Sequence, residues 1–568
     1  MSKISLMQRA SSLIPVIIML ATIQAFAQSG MVKDLTRKDQ AQIIREADSV
    51  ITLKMREYGV LGASIVLVDA QYTILAKGFG YTDPSKAKKV DEKTLFSMQS
   101  ISKTLTTTAF LMEATSGSFG LDDKIRRYYP ALHVQSRTGS SQADKMTFRH
   151  LLSHRAGFCH EAPLGNNYDT TKYTFEQHVQ SFNGSWLRFD VNEFFSYSNM
   201  GHDLVGYVAA KRANKPIDQY LKESVLQPLA MTSSTYSQDE AYQFKNIAIG
   251  CYGNNVLQRT YIPNIAAGGL YSNAVDMGRY LQFQLNDCVI NGDTLVSGKL
   301  LAQMQSVQYK LDGQSSGYGL GVLVRPFYGA TMVFHPGDGY GYQALHAWIP
   351  QARIGIAIMT NDGLVSPFAS EVCEYILKMM LLHNVDGLEK DPDVDLKATI
   401  ELDPNYIRTL TGRYKSGRRV VSFVEMAGKL AVISEIDTIK LNAHSQQEFS
   451  APNGEKYLFD AGQTGKPRHF VNINQYGADF YIYNDSPTEK AGPGKAAWTD
   501  LTGTYSGFNN RQPQTVKIFL KNGYLYCSRG GETKLTEFKP GVFFTSDGDP
   551  LIQKGNRIYL GNRIFTKQ

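Results

Sequence analysis

Strand-forming runs stand near both ends of the first 380 or so residues of this 568-residue chain, and helical patterns fill the interval between them. Two apolar, β-prone runs at residues 63–68 and 72–78 are joined by a short turn. Three further runs come much later, at residues 330–334, 342–349 and 354–360. Short connections imply antiparallel pairing. The two ends of this segment are therefore expected to meet in one antiparallel sheet.

Helical patterns cover residues 35–58, 100–115 and 366–382, and the middle of the chain to about residue 310 is mostly helical with loops. A sheet buries its apolar faces against other elements, so the helices are expected to pack on it. The sequence thus predicts an α+β domain over residues 28–383, in which an antiparallel sheet is flanked by helices and interrupted by a large helical insertion.

A charged stretch without apolar periodicity, residues 384–403, is expected to be a linker. Beyond it helical patterns cease, and short alternating strands appear between Gly and Asn turns. The pentapeptide Leu-Thr-Gly-Arg-Tyr at 410–414 recurs as Leu-Thr-Gly-Thr-Tyr at 501–505, which suggests a duplication. The sequence predicts an all-β C-terminal module of two units, residues 404–495 and 496–568, arranged as paired barrels or as one sandwich.

The first 27 residues carry a separate signal. Lys3 and Arg9 precede an apolar run at 13–23, and Ala25 and Ala27 supply small residues. This pattern is typical of a secretory signal peptide, residues 1–27, and predicts a periplasmic or secreted protein. The alternative is an uncleaved membrane anchor, but the run is shorter than the roughly 20 residues that a spanning helix needs. No membrane span is expected after cleavage.

Composition excludes several other classes. The length calls for two or three domains rather than one core. A net charge of +7 spread over 568 residues, without a basic cluster, argues against nucleic acid as a partner. The five cysteines have no metal-binding spacing, so no metal site is expected.

The strongest chemical signal is Ser100-Ile101-Ser102-Lys103 at the start of the predicted helix. The spacing places a hydroxyl and an amine one helical turn apart on one face, which sets a nucleophile beside a base. A helix N-terminus would also stabilise a developing oxyanion. The same S-x-x-K pattern at 85–88 lies in a polar, lysine-rich stretch and is expected to be a solvated turn.

A second motif, Tyr197-Ser198-Asn199, lies on a loop that enters an apolar helix. A phenol near a lysine can shuttle protons to a leaving group, and the Asn199 amide could hold the lysine or a substrate carbonyl. The motif recurs at 271–273, where the asparagine is expected to cap a helix that begins near Ala274.

The third motif is His335-Pro336-Gly337, at the end of the predicted strand 330–334. A glycine there allows a substrate backbone to approach closely. His335 is a candidate hydrogen-bonding or electrostatic partner for the site.

In this order the three motifs resemble those of the serine β-lactamase-related family, which includes class C β-lactamases, DD-peptidases, D-aminopeptidases and esterases. Segments at 78–81, 147–157, 226–231, 267–270 and 318–321 agree with the resemblance, which covers roughly residues 40 to 380. It implies a β-lactamase/transpeptidase-like fold without metal or cofactor. The tail resembles the β-barrel appendages of some D-aminopeptidase-like members.

The resemblance also implies roles for individual residues. Ser100 would be the acylated nucleophile, with Lys103 and Tyr197 as a coupled acid/base pair. Asn199, His335 and Gly337 would bind substrate, and the backbone N–H groups of Ser100 and Asp338 would form the oxyanion hole. His335 stands where the lactamases carry a lysine, and Asp338 would repel an anionic substrate carboxylate.

These features predict a secreted serine hydrolase that cleaves amide or ester bonds through an acyl-serine intermediate. Its substrate would be a small molecule or a peptide, including peptidoglycan-derived peptides. A D-amino-acid peptidase, aminopeptidase or carboxypeptidase is the leading hypothesis. The alternatives are a carboxylesterase, a β-lactamase, or a penicillin- or peptidoglycan-binding protein without turnover.

Overall fold

The computed structural model describes residues 32–568 except 140, 167–170, 258–260, 262, 310–315, 366, 386–398, 417–418, 434–437, 452–454, 461–468, 475–476, 484–495, 510–511, 530–531 and 546–547. The predicted signal peptide at 1–27 lies outside the described residues, as does most of the predicted linker at 384–403.

The α-helices belong mainly to the first 385 residues. They are α1 (Arg37–Tyr58), α2 (Ser102–Thr115), α3 (Phe148–Leu152), α4 (Phe175–Gln180), α5 (Asn199–Arg212), α6 (Ile217–Leu221), α7 (Gln238–Gln243), α8 (Ile265–Gly268), α9 (Ala274–Leu285), α10 (Gly298–Met304), α11 (Phe368–Asn384) and α12 (Pro404–Leu410). Within the described ranges, none of them is long and apolar enough to cross a bilayer.

The strands of the same region are β1 (Gly62–Asp69), β2 (Thr73–Gly80), β3 (Phe96–Ser97), β4 (Cys251–Tyr252), β5 (Asn255–Val256), β6 (Tyr271–Ser272), β7 (Val289–Ile290), β8 (Asp293–Thr294), β9 (Gly317–Tyr318), β10 (Leu323–Phe327), β11 (Ala330–Gly339), β12 (Tyr342–Ile349) and β13 (Ile354–Thr360). Seven of them form one sheet in the order β2-β1-β13-β12-β11-β10-β9. Every neighbouring pair in this sheet is antiparallel. The predicted α+β class and the meeting of the two chain ends in one sheet are therefore confirmed.

Strand β1 shows how the sheet binds helices on both faces. Successive side chains of a strand point to opposite sides. Ile65 and Leu67 lie in the apolar core that contains α1 and α11, whereas Val66 and Val68 lie in the core that contains α2 and α9. Burial on both faces explains the continuous apolar run that marks this strand in the sequence.

The ends of α1 follow from its capping residues. Thr36 accepts a hydrogen bond from the Asp39 backbone, while the Asp39 side chain accepts one from the Thr36 backbone. Gly59 ends the helix in a left-handed conformation with φ 67°. The helix therefore spans Arg37–Tyr58, two residues shorter at its start than the predicted 35–58.

The C-terminal strands are β14 (Gly412–Ser416), β15 (Arg419–Met426), β16 (Lys429–Ile433), β17 (Thr438–Lys440), β18 (Asn442–Ala443), β19 (Glu448–Ser450), β20 (Lys456–Phe459), β21 (His469–Asn474), β22 (Gly477–Tyr483), β23 (Gly503–Asn509), β24 (Gln512–Lys521), β25 (Tyr524–Ser528), β26 (Glu532–Lys539), β27 (Val542–Thr545), β28 (Pro550–Lys554), β29 (Arg557–Leu560) and β30 (Arg563–Lys567). Strands β14–β22 form a nine-stranded sheet, and β23–β30 close into a barrel. The predicted all-β module is confirmed. It consists of one sheet and one barrel, and not of two barrels or one sandwich.

The repeated pentapeptide plays the same part in both units. The buried Tyr414 hydroxyl donates to the Leu410 carbonyl at 3.0 Å, and the buried Tyr505 hydroxyl donates to the Leu501 carbonyl at 2.8 Å. Each bond ties the first strand of its unit to the helical turn that precedes it. The sequence repeat therefore reflects a repeated anchor.

Gly337 of β11 provides a test of how closely this strand approaches the segment before Ser100. A Cβ atom at Gly337 would lie 2.2 Å from the Met98 carbonyl oxygen, so Gly337→Ala should force the strand and the segment apart. We expect a loss of about 1–3 kcal/mol in unfolding free energy, measured by denaturant unfolding. Gly298→Ala is the matched control, because nothing lies within 4 Å of its added Cβ. Equal stability of the two variants would contradict the close approach.

Candidate active site

Ser100 lies in a 3₁₀ turn, Gln99–Ile101, immediately before α2. The predicted helix start at Ser100 is therefore wrong by two residues, because a tighter turn precedes the α-helix. Gln99 has a φ of 49°, a left-handed conformation that is uncommon for a residue with a side chain. The Ser102 hydroxyl stabilises the turn by donating to the Gln99 carbonyl at 2.6 Å.

Lys103 is fully buried and its ammonium group is fully paired. Its Nζ donates to Ser100 Oγ at 3.1 Å, to Asn199 Oδ1 at 2.8 Å and to the Ala267 carbonyl at 2.9 Å. An ammonium has three N–H donors, so each one has an acceptor here. The structure thus brings three predicted site residues, Ser100, Lys103 and Asn199, into direct contact.

Tyr197 completes this group from the loop before α5. Lys103 Nζ lies over its ring, 4.9 Å from the ring centre, a cation–π arrangement. The ring also lies near three histidines, with centre-to-centre distances of 4.3 Å to His154, 5.5 Å to His160 and 6.3 Å to His335. The three motifs, far apart in sequence, therefore converge as predicted.

The Tyr197 loop is held by a neighbouring segment of the same α+β domain. Three successive carbonyls, at residues 158–160, each accept a hydrogen bond from it. The bonds are Ser196 Oγ to Phe158 O (2.7 Å), Ser198 Oγ to Cys159 O (2.6 Å) and Asn199 N to His160 O (3.0 Å). The positions of Tyr197 and Asn199 therefore depend on the position of segment 158–160.

His335 is buried on β11 as a neutral imidazole. Burial, reinforced by the Lys103 charge, lowers the pKa of His335 to about 3. Its Nε2 lies 2.9 Å from the Tyr318 hydroxyl, whose own pKa burial raises well above the ordinary value. We assign Tyr318 as the donor to Nε2, which leaves Nδ1 to donate to the Pro336 carbonyl at 2.6 Å.

The far end of β11 faces the Gln99–Ile101 turn that contains Ser100. Pairing of β10 with β11 stops at Leu323 and Phe334, so in the described sheet residues 335–339 are paired with β12 alone. Gly337 lies there against the Met98 carbonyl. Asp338 is exposed, and its carboxyl group accepts from Gln343 Nε2 at 3.2 Å. The oxyanion hole predicted from Ser100 and Asp338, and the substrate role of Gly337, stay predictions.

Sequence reasoning missed two buried histidines beside the site, His154 and His202. His154 Nδ1 accepts from the Ser198 backbone at 3.2 Å. His202 lies 5.1 Å from His154 by ring centres and is fully buried. Burial and the nearby Lys103 charge lower the pKa of both side chains. The spacing of His202 three residues after Asn199 was the available signal, because it places both on one helix face.

The competing motif copies have the predicted structural roles. Ser85 and Lys86 lie in an exposed turn. Asn273 Oδ1 accepts from the Asp276 backbone at 2.9 Å and caps α9. In the described part of the chain, no cluster of His, Cys, Asp and Glu side chains could hold a metal ion.

The buried histidines predict a loss of stability in acid. The unfolded chain binds a proton at His335 below its ordinary pKa of 6.5, whereas the folded chain does so only near pH 3. Stability contributed by this difference is present above pH 6.5 and is lost as the pH falls towards 3. At about pH 4.5 the loss should be about 2–3 kcal/mol.

Urea unfolding at about pH 7 and about pH 4.5 measures this loss. His335→Gln should show a smaller drop between the two pH values than the unmodified protein, because it lacks the titrating ring. His133→Gln, at an exposed position, should keep the full drop. An unchanged drop in His335→Gln would contradict the assignment.

Comparisons with known proteins agree with this geometry. The profile of the beta-lactamase family matches residues 47–372. Protein flp of Staphylococcus aureus (strain COL) is 23% identical over 359 residues, which cover 61% of this chain and 68% of that protein. Beta-lactamase-like protein 2 of Dictyostelium discoideum is 25% identical over 376 residues, which cover 63% of this chain and 67% of that protein.

A solved structure, that of the octameric penicillin-binding protein homologue from Pyrococcus abyssi, covers 78% of this chain and 98% of its own. The TM-score is 0.51 at 22% identity, so the likeness concerns the fold. The family match spans more than half of the chain and includes the three motifs. The resemblance inferred from those motifs is confirmed, and the chain belongs to the beta-lactamase family.

Proposed function

We propose that this protein is a serine hydrolase that cleaves amide or ester bonds through an acyl-Ser100 intermediate. The observation that carries the proposal is the 3.1 Å contact between Lys103 Nζ and Ser100 Oγ in a buried, fully paired arrangement. A fully buried ammonium is costly unless it is hydrogen-bonded. Here its position beside the partly buried Ser100 supports a chemical role.

Each group has a distinct task in the proposed reaction. Because Lys103 donates to Ser100 Oγ, the serine O–H is left to give its own proton to another base. Tyr197, whose ring lies against the ammonium, acts as a phenolate in this step: it takes that proton and then gives it to the leaving group. The Lys103 charge stabilises the oxygen anion that develops at Ser100. Water then attacks the acyl group. Tyr197 takes the proton of the water and returns it to Ser100 Oγ as the acid is released.

The charges around Ser100 favour neutral or amine-bearing substrates. His335 is uncharged, so it gives no cation for a substrate carboxylate. Lys103 already has three protein acceptors. Asp338 places an acidic side chain at the same strand end, although partial desolvation raises the pKa of its carboxyl. A carboxylate-bearing substrate would therefore meet repulsion from Asp338 and no cation at His335, which disfavours β-lactamase and carboxypeptidase activity.

A small cleft of about 40 Å³ beside Gln99 is also uncharged. Its described lining contains the tyrosines 242, 271, 340 and 342 together with apolar and amide side chains, and no charged one. Aromatic and amide groups bind uncharged substrate groups by contact area and hydrogen bonding. The neutral His335, the acidic Asp338 and the resemblance to D-aminopeptidases together lead us to propose D-aminoacyl amides and related esters as the substrate class.

We also propose that the protein acts in the periplasm or outside the cell. The proposal rests on the apolar run at 13–23 and the small residues Ala25 and Ala27 that follow it.

Turnover of D-aminoacyl p-nitroanilides and p-nitrophenyl esters tests the function. We expect Ser100→Ala to lose at least about a thousandfold in kcat/KM. Ser85→Ala, in the exposed copy of the S-x-x-K pattern, should keep full activity. An N-succinylated form of each substrate should react more slowly, because it adds a carboxylate.

Three outcomes would contradict the proposal. Equal turnover by Ser100→Ala and the unmodified protein would exclude Ser100 as the nucleophile. Faster turnover of the succinylated substrates would contradict the expected repulsion between a substrate carboxylate and the site. Stable labelling of Ser100 by a fluorescent penicillin, with no substrate turned over, would make the protein a binder instead of a hydrolase.

A further inference from the structure

A turn of the C-terminal barrel is buried in the catalytic domain. Strands β29 and β30 are joined by Gly561 and Asn562, with φ values of 55° and 67°. Positive φ at both positions is typical of a tight hairpin turn that favours Gly and Asn. Such tips are usually exposed, as at Asn522, yet Asn562 is only 5% exposed.

Asn562 is hydrogen-bonded through both its side chain and its backbone. Its Nδ2 donates to the Glu161 carbonyl at 2.9 Å, and its own carbonyl accepts from Asn166 Nδ2 at 3.2 Å. Its Nδ2 also lies 4.0 Å from the sulfur of Met200, the residue that follows Asn199. The barrel turn therefore reaches the immediate neighbours of the candidate active site.

The Glu161 carbonyl extends a row that the active site already uses. Carbonyls 158, 159 and 160 accept hydrogen bonds from the Tyr197 loop. Carbonyl 161 accepts one from the barrel turn. Four successive peptide units are thus fixed between the two domains. The Glu161 carboxylate also lies 3.2 Å from His160 Nδ1, and the His160 ring lies 5.5 Å from that of Tyr197 by ring centres.

A second set of contacts holds the barrel in this place. Asp549 of the barrel pairs with Arg188 of the catalytic domain at 3.1 Å and with Arg563 at 3.4 Å. The buried Trp186 packs with Val542 and Phe544 of the barrel. One partly buried ion pair, Arg188–Asp549, and one apolar contact join the two domains, so the barrel turn has a defined position against the catalytic domain.

We propose that Asn562 is a positioning residue for the reaction at Ser100, and this inference rests on the proposed function. Its side chain holds carbonyl 161, and through segment 158–161 it fixes the loop that carries Tyr197 and Asn199. Without the amide donor the Glu161 carbonyl loses a buried partner. The segment can then shift, and small displacements of catalytic groups lower the rate strongly.

Hydrogen exchange of the full-length protein tests the positioning role without any substrate. Asn562→Gly keeps the left-handed turn and removes the side chain. We expect the amides of Ser198 and Asn199 to exchange at least about tenfold faster, since the latter donates to the His160 carbonyl. Asn522→Gly, at an exposed turn with φ 50°, is the matched control and should change nothing there.

Asn562→Asp is the second variant, because aspartate tolerates the same backbone conformation but cannot donate. It should reproduce the local effect of Asn562→Gly. Unchanged exchange at residues 198–199 in both variants would overturn the proposal. Faster exchange throughout the chain would overturn it as well, because the residue would then serve folding alone.

Kinetics separate this inference from the proposed function. For the substrates that Ser100 turns over, both Asn562 variants should lower kcat about tenfold, with KM changed less than about threefold. Unchanged kcat in an active enzyme would overturn the positioning role and leave the hydrolase proposal intact. Absence of Ser100-dependent turnover in the unmodified protein would instead overturn the hydrolase proposal, and exchange alone would decide the role of Asn562.

Discussion

The burial of the Lys103 ammonium is the constraint on which the site depends. Removing such a charge from water is costly unless hydrogen bonds replace the lost hydration. The three acceptors come from the turn before α2, the first residue of α5 and the α8 carbonyl of Ala267. The helices between the two ends of the sheet must therefore pack around the Lys103 ammonium. Its closure brings Tyr197 and Ser100 together, and the barrel turn at Asn562 reaches the segment that supports this arrangement.

Much of the fold could be predicted because the sheet is buried on both faces. Continuous apolar runs gave β12 and β13 their observed bounds, Tyr342–Ile349 and Ile354–Thr360. Strand β10 was missed because Leu323–Phe327 is short and contains Pro326 and Arg325, which weaken a strand pattern. The closure of β23–β30 into a barrel could not be predicted, because alternating strands alone do not distinguish a barrel from a sandwich.

In the candidate site, too, some residues could be predicted from the sequence and others could not. Ser100 and Lys103 were predictable because their spacing is local and fixed by helix geometry. His154, His202 and Tyr318 were not, because their importance comes from contacts across the fold, such as the Tyr318–His335 hydrogen bond. The neutral state of His335 likewise follows from burial beside Lys103, which only the folded chain creates. Asn562 lies 363 positions beyond Asn199 in sequence, and no local pattern links them.

Single-turnover acylation followed by mass spectrometry is the most direct test of the central claim, that buried Lys103 activates Ser100. A p-nitrophenyl ester would be mixed with the unmodified protein and with Lys103→Met, and the acylated peptide would be identified at each time point. The account predicts rapid acylation of the peptide that contains Ser100, slowed at least about a hundredfold in Lys103→Met. Acylation at another residue, or an equal rate in the variant, would contradict it.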